Sequence, residues 1–454
     1  MSILTILFAV AGLALAFFKP KWGIFSIILF YTIRPLVSEF IPEVKVFSDG
    51  ILLGGLLYVL VAYRKRLKEL FKFHLFEYAF FTFLLIGSVS ALITGVAPIA
   101  IIFQLRAFLL GYLVYFIAKR INFTKEDFKT FLYVLFWWAI VFTIHGFIEK
   151  LSLRQLLLPE NWRLMELSET NKIRIYGILG NPNVLGLFMM IVFFLTYFYR
   201  EYLKNIPAKM IWVGLVLFET IFILTFSRGA TIGIIVFLII YIAYKRDFSF
   251  MKNMLILTAA SLILSFAVVQ ATDLIDYPVT EESDASKKER NKKNNEAVSR
   301  FKDAFSSENV NMSSQDGRVF YIFKGFEIFK EHPIIGTGFA TYGDSATQTF
   351  SSPIYKQYGI ENSIFYSDNQ YIQIIVGTGA LGVITFAVFL LSLTYFVWKK
   401  RKETPLFPLL FFFLAGFYVH GFYYNIWENY VYVLFFYFIL ALHEIWAKDN
   451  QEYN

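Results

Sequence analysis

Hydropathy along the chain comes in long blocks. Apolar runs cover roughly residues 2–18, 22–38, 47–63, 74–95, 97–118, 130–148, 177–199, 208–226, 228–244, 253–271, 368–397, 405–424 and 429–446. Helices of that length reach across a hydrocarbon core of about 30 Å at about 1.5 Å per residue. The pattern predicts an all-α polytopic membrane protein of about 12–13 transmembrane helices, twelve if the first two runs merge.

One polar interruption is long. It divides the chain into a transmembrane bundle of ten spans (1–271), an extracytoplasmic loop (272–367) and three last spans with a cytoplasmic tail (368–454). Residues 281–300 carry mixed charge without apolar periodicity and read as a solvated stretch. The second half of the loop differs: Val319, Phe320, Ile322, Phe323, Phe326 and Phe329 recur at helical spacing. Asp316 is placed to cap that helix, and Pro333 with Gly336 to end it. An aromatic-rich helix there would lie at the membrane surface, either packed on the bundle or acting as a lid over a lipid-facing site.

Charge sets the orientation. The links Lys19–Lys21, Arg64–Lys72, Lys119–Lys129, Arg200–Lys209, Lys245–Lys252 and Lys399–Lys402 alternate with links poor in Lys and Arg. All the basic links fall on one side, the cytoplasmic one, which puts the amino end outside and the carboxyl end inside. The net charge of +8 is largely accounted for by these loops and does not argue for nucleic acid. The first apolar run lacks a basic flank and a small-residue cleavage site, so it reads as a retained helix. With no cysteine and five unpaired histidines, neither a thiol nucleophile nor a metal or other cofactor is expected.

Against this topology a group of arginines falls on the outer side: Arg106, Arg174, Arg228 and Arg318, with Arg34 a fifth. Arg106 lies roughly 14 Å deep in its span by helical rise. Charged groups at such depth usually face a cavity or a partner, and Glu77 and Glu219 are intramembrane acids able to pair with them. Arginine's planar fork suits bidentate binding of phosphate. Asn181-Pro182-Asn183 is either a helix entry turn or a polar wall for sugar hydroxyls. Asp368, followed by Asn369 and Tyr371, is either a helix cap or a general base.

Four segments occur in a telling order: GILGNPNVLG (Gly177–Gly186), SRGA (Ser227–Ala230), Gly317-Arg318 followed by HPIIGTG (His332–Gly338), and DNQYIQIIVGTGALG (Asp368–Gly382). With the large late loop they resemble the O-antigen ligase and polymerase superfamily over roughly residues 100 to 400. That resemblance implies metal-independent glycosyl transfer at the outer face of the bacterial cytoplasmic membrane, which a single displacement would make inverting. The donor would be an undecaprenyl-pyrophosphate-linked oligosaccharide and the acceptor another glycan. Membrane lipids, a flippase and a chain-length regulator would be partners, and no nucleic acid.

Ligases of the superfamily generally carry histidine where this chain has Asp368, so the difference favours a polymerase over transfer to a lipid A core. By resemblance, Arg228, Arg174 and Arg318 would bind the donor pyrophosphate and Asp368 would take the acceptor proton; Arg106, on the ground of its depth, would support them or hold the acceptor. Asn181, Asn183, Asn369, Tyr371 and His332 are further substrate-binding candidates, His332 being structural first. A lipid or ion transporter is the competing class, but such carriers often show internal repeats, and none is evident. A membrane scaffold would leave the buried arginines unexplained.

Overall fold

A computed structural model describes residues 2–167, 169–274, 318–360 and 365–452. The stretch 281–300 and Asp316 lie outside them. The described residues form helices and irregular segments. Every apolar run of the sequence becomes a helix: α1 Ile3–Phe18, α2 Pro20–Phe40, α3 Phe47–Ala62, α4 Leu75–Ile93, α5 Pro98–Ala118, α6 Lys125–Leu151 and α7 Pro182–Tyr199 come first. They are followed by α8 Ala208–Leu224, α9 Arg228–Lys245, α10 Phe248–Asp273, α11 Arg318–Glu331, α12 Gln370–Lys399, α13 Phe407–His420 and α14 Tyr430–Glu452.

Among the described residues, ten helices are long and apolar enough to cross a membrane. The other three expected spans, α1, α8 and α13, are helices of 16, 17 and 14 residues. They fall short of the roughly 20 residues an untilted crossing takes. The protein is a multi-pass, all-α membrane protein.

The chain divides into two compact units. The larger comprises Met1–Phe81, Leu105–Thr272 and Phe386–Asn454. Its centre is α14, whose Tyr432 to Leu442 are all buried, packed against α7, α13 and α2. At its edge α1 and α3 touch backbone to backbone. A Cβ on Gly54 would meet the Leu13 carbonyl at 2.2 Å, and one on Gly12 the Phe47 carbonyl at 2.3 Å. Small residues permit such approach where apolar burial gives no driving force. Lipid-facing side chains lie at the periphery, as with Ile263 and Phe266 of α10.

Glu77 and Glu219, proposed from sequence as partners of the outer arginines, are engaged elsewhere. Glu77 accepts from Lys119 Nζ at 2.8 Å and from the Tyr112 hydroxyl at 2.8 Å. Glu219 accepts from Thr258 at 2.6 Å and Ser261 at 3.2 Å, tying α8 to α10. A buried carboxylate needs such partners, and the nearest donors satisfied them.

The smaller unit comprises Thr82–Gln104 and Asp273–Thr385. Its core joins Ile328 of α11 to Tyr342, Tyr355, Tyr358, Phe365, Ile372 and Val376. Helix α11 begins at Arg318 and ends before His332, close to the span expected from periodicity. It buries Gly325 and Ile328 while Phe323 and Phe326 stay exposed.

The segment from Pro333 to Gly338 lies against a break in α12. Thr337 N donates to the Val376 carbonyl (2.9 Å) and Gly338 N to the Gly377 carbonyl (2.7 Å). In return, Ala380 N donates to Pro333 (2.8 Å) and Leu381 N to Ile334 (3.0 Å). At the break Gly379 has φ 59, ψ −164, which no other residue adopts cheaply. A Cβ there would sit 2.5 Å from Gly336 N. HPIIGTG and GTGALG are thus the two halves of one backbone crossing.

Candidate functional site

In the larger unit, Asn181 caps α7, its Oδ1 accepting from Asn183 N (2.9 Å) and Val184 N (3.2 Å). The helix entry turn expected from the sequence is present. It also frees the Asn183 side chain, whose Oδ1 accepts from Arg174 (2.6 Å) and from the Ser227 hydroxyl (3.1 Å). Arg174 further donates its Nε–H to the Thr225 carbonyl at 2.7 Å and a terminal N–H to Asn171 at 3.3 Å. GNPN and SRGA, far apart in sequence, are therefore one polar joint.

The turn between α8 and α9 is strained, because Phe226 has φ 50. A bulky residue in left-handed backbone marks a position that the surroundings over-determine. Arg228, first residue of α9, is exposed, and it makes no ion pair among the described residues. A Cβ on Gly229 would meet Tyr423 at 2.8 Å and His420 at 3.0 Å, so only glycine fits behind that arginine.

Upstream, the buried Glu149 carboxylate accepts from Gly177 N (2.6 Å), Tyr176 N (3.2 Å) and Arg154 (2.9 Å). It holds the start of the GILGNPN segment. Sequence reasoning passed over Glu149 because an acid near a helix end usually reads as a solvated one.

Arg106 is occupied differently, donating to Asp49 on α3 at 2.7 and 3.2 Å. It lies within electrostatic reach of Tyr31 and Tyr430. Arg34 stacks on the Tyr31 ring at 5.0 Å. Arg106 and Arg34 therefore share one environment, and Arg174 and Arg228 another.

In the smaller unit, the cap of α12 is Asn369, not Asp368. Asn369 Oδ1 accepts from Tyr371 N (3.1 Å) and Ile372 N (3.0 Å). Asp368 precedes it with φ 47, a left-handed conformation that Asp and Asn tolerate best among non-glycine residues. The adjacent Ser367 N donates to the Gly343 carbonyl at 2.9 Å, which fixes the approach to the helix. Asp368 is half-buried and Tyr371 sits in the first turn.

His332 closes α11, its Nε2 paired with the Tyr358 hydroxyl at 3.2 Å, and Tyr358 also donates to Glu331 at 2.7 Å. The next residue, Pro333, is tied to Ala380, twelve positions along α12 from Asp368 and about 18 Å by helical rise. His332 and Asp368 are not brought together. Arg318 opens α11; its side chain lies outside the described part.

A second acid of this unit went unnoticed in the sequence. Asp344 is buried, its carboxylate accepting from Ala340 N (2.6 Å) and Thr347 N (3.0 Å). Burial pushes its carboxyl up to about 6, against those N–H groups, which favour the charged form. It holds the loop and has no open face for a substrate. Among the described residues no cluster of acids and histidines could hold a metal ion.

Residues 213–387 match the family model described as O-antigen ligase. The match contains Arg228, Arg318, His332 and Asp368, while Arg34, Arg106, Arg174, Asn181 and Asn183 precede it. No curated protein matches the chain.

Proposed function

The chain carries a domain of the O-antigen ligase family, and from that premise we propose that it polymerises saccharide repeat units linked to undecaprenyl pyrophosphate at the outer face of the bacterial cytoplasmic membrane.

Arg228 is the donor-binding residue in this reading. Its guanidinium is exposed and takes no part in the Asn183 joint, whereas Arg174 spends donors on Thr225 and Asn183. Arg228 would bind the pyrophosphate and stabilise the charge that grows on it, a role that the resemblance also gives to Arg318. The acceptor hydroxyl oxygen attacks the anomeric carbon, and the bond from that carbon to the pyrophosphate oxygen breaks. Undecaprenyl pyrophosphate leaves, and the hydroxyl proton passes to Asp368. One displacement inverts the anomeric centre.

The observation that carries the assignment of Asp368 is the division of labour at α12. Asn369 does the capping, and Asp368, held in left-handed backbone one residue earlier, brings a half-buried carboxylate to the start of α12. A competing reading, transfer to a lipid A core, is favoured by the description of the matched family, and disfavoured by aspartate where ligases generally carry histidine.

Purified protein in liposomes, given lipid-linked repeat units with and without a lipid A core acceptor, tests both. A ladder of lengthening products without the core is expected. Asp368→Asn should slow elongation by a factor on the order of 10²–10⁴, the usual worth of a positioned base. Arg228→Ala should also lose most of the rate. Full activity in folded Asp368→Asn protein would remove Asp368 from the mechanism, and product only on the core acceptor would replace polymerase with ligase.

A further inference from the structure

A cleft of about 260 Å³ opens in the larger unit, beside the segment that carries Asn183. It is lined by Tyr31, Arg34 and Ser38 of α2, Lys45, Leu179 and Val184 on either side of Asn181–Asn183, and Tyr424, Glu428, Asn429 and Tyr430 before and at the start of α14. All these segments fall at the end of the bundle that the loop charges put outside. The volume lies just under the roughly 300–1,000 Å³ of sites for drug-sized ligands, which suits a single sugar ring.

Its chemistry is that of a donor-rich site. Asn429 is 5% exposed. Its Oδ1 caps α14 through Tyr432 N at 3.1 Å, yet its Nδ2 has no hydrogen-bond partner among the described residues. Arg34 Nε is likewise buried without a partner. Both residues line the cleft, and a buried donor left without a partner is costly, so a ligand seated beside them that accepts from these groups would relieve that cost.

The lining carries two cations, Arg34 and Lys45, against one carboxylate, Glu428. Arg106 behind it is neutralised by Asp49 at 2.7 Å. Tyr31 and Tyr430, with ring centroids 5.1 Å apart, supply an aromatic wall. Pro35, inside α2 and lacking an N–H, leaves the Tyr31 carbonyl without its partner in the helical ladder.

We propose that this cleft is a saccharide subsite that selects a sugar bearing an anionic group, carboxylate or phosphate, with Arg34 and Asn429 Nδ2 as its donors. That the ligand is a saccharide rests on the glycosyl-transfer reading; the preference for an anion rests on the cleft alone. None of these residues lies in the family-matched segment, so the subsite would determine which glycan this chain accepts.

Saturation-transfer NMR on the full protein in nanodiscs tests it, with methyl glucuronide, glucose 6-phosphate and methyl glucoside as probes. One or both acidic sugars should bind at least roughly tenfold more tightly than the glucoside, as charge-assisted hydrogen bonds require. Whichever acid binds identifies the group. Arg34→Gln should abolish that preference. Asn429→Asp keeps the capping oxygen, so its melting temperature should hold, but it sets a negative oxygen where the donor was and should weaken the acidic sugar by a similar factor. Equal binding of the glucoside overturns the proposal, as do variants that bind like the parent. Because the measurement needs no lipid donor, acidic-sugar binding without polymerisation would preserve this subsite and discard the polymerase reading.

Discussion

At the residue scale, two neighbours of like chemistry do different work. Asp and Asn are equally good caps, so the pair Asp368-Asn369 could not be resolved from sequence; the backbone resolved it by turning Asp368 to φ 47 and handing the cap to Asn369. Asn369→Ala should therefore cost about 1 kcal/mol of stability, and Asn369→Asp almost none, as thermal melting in detergent would show. The arginines separate in the same way. Arg174→Ala strips donors from the Thr225 carbonyl and Asn183, and should lower stability by about 1–3 kcal/mol. Arg228→Ala, at an exposed position, should melt with the parent protein while losing transfer. A shared melting shift would mean that Arg228 is structural as well. Their residue type and predicted side were legible in sequence. Which of them is already committed to the protein depends on partners such as the Thr225 carbonyl, 51 residues from Arg174, and no local pattern carries that.

At the element scale, the helices were readable because each needs only its own apolar run. The crossing of Pro333–Gly338 over α12 was not. HPIIGTG and GTGALG stood out as motifs, but their glycines serve backbone contact. A Cβ on Gly338 would lie 2.1 Å from the Ala91 Cα, whereas at Gly359, also left-handed at φ 64, nothing comes within 4 Å. Gly338→Ala should therefore disrupt the smaller unit, seen as rapid proteolysis within the loop. Gly359→Ala should cost only the backbone term of about 1–2 kcal/mol and resist protease like the parent. Equal resistance would show that the crossing yields easily.

At the scale of the whole molecule, the thirteen expected spans correspond one for one to helices, since hydrophobic length is a strong and local signal. The division into two units was invisible in sequence, because it cuts through α4, α5 and α12, continuous runs whose two ends join different cores. Orientation rests on loop charge, and the chain is well suited to checking it. With no native cysteine, single cysteines report without background. Asn161→Cys in cells should react with an impermeant maleimide, and Lys68→Cys only after the membrane is opened. The reverse pattern would invert the topology and with it the placement of every site residue.

The left-handed backbone of Asp368 also bears on how its chemistry can be measured. Alanine, the customary probe of a catalytic carboxylate, would remove the side chain and burden the backbone together, since alanine in that conformation costs about 1–2 kcal/mol. A dead alanine variant would not distinguish a missing base from a misdirected helix start. Glycine and asparagine both accept the same φ, one with no side chain and one with an uncharged isostere. That pair isolates the carboxylate, and the gap between either of them and alanine measures what the twist itself contributes.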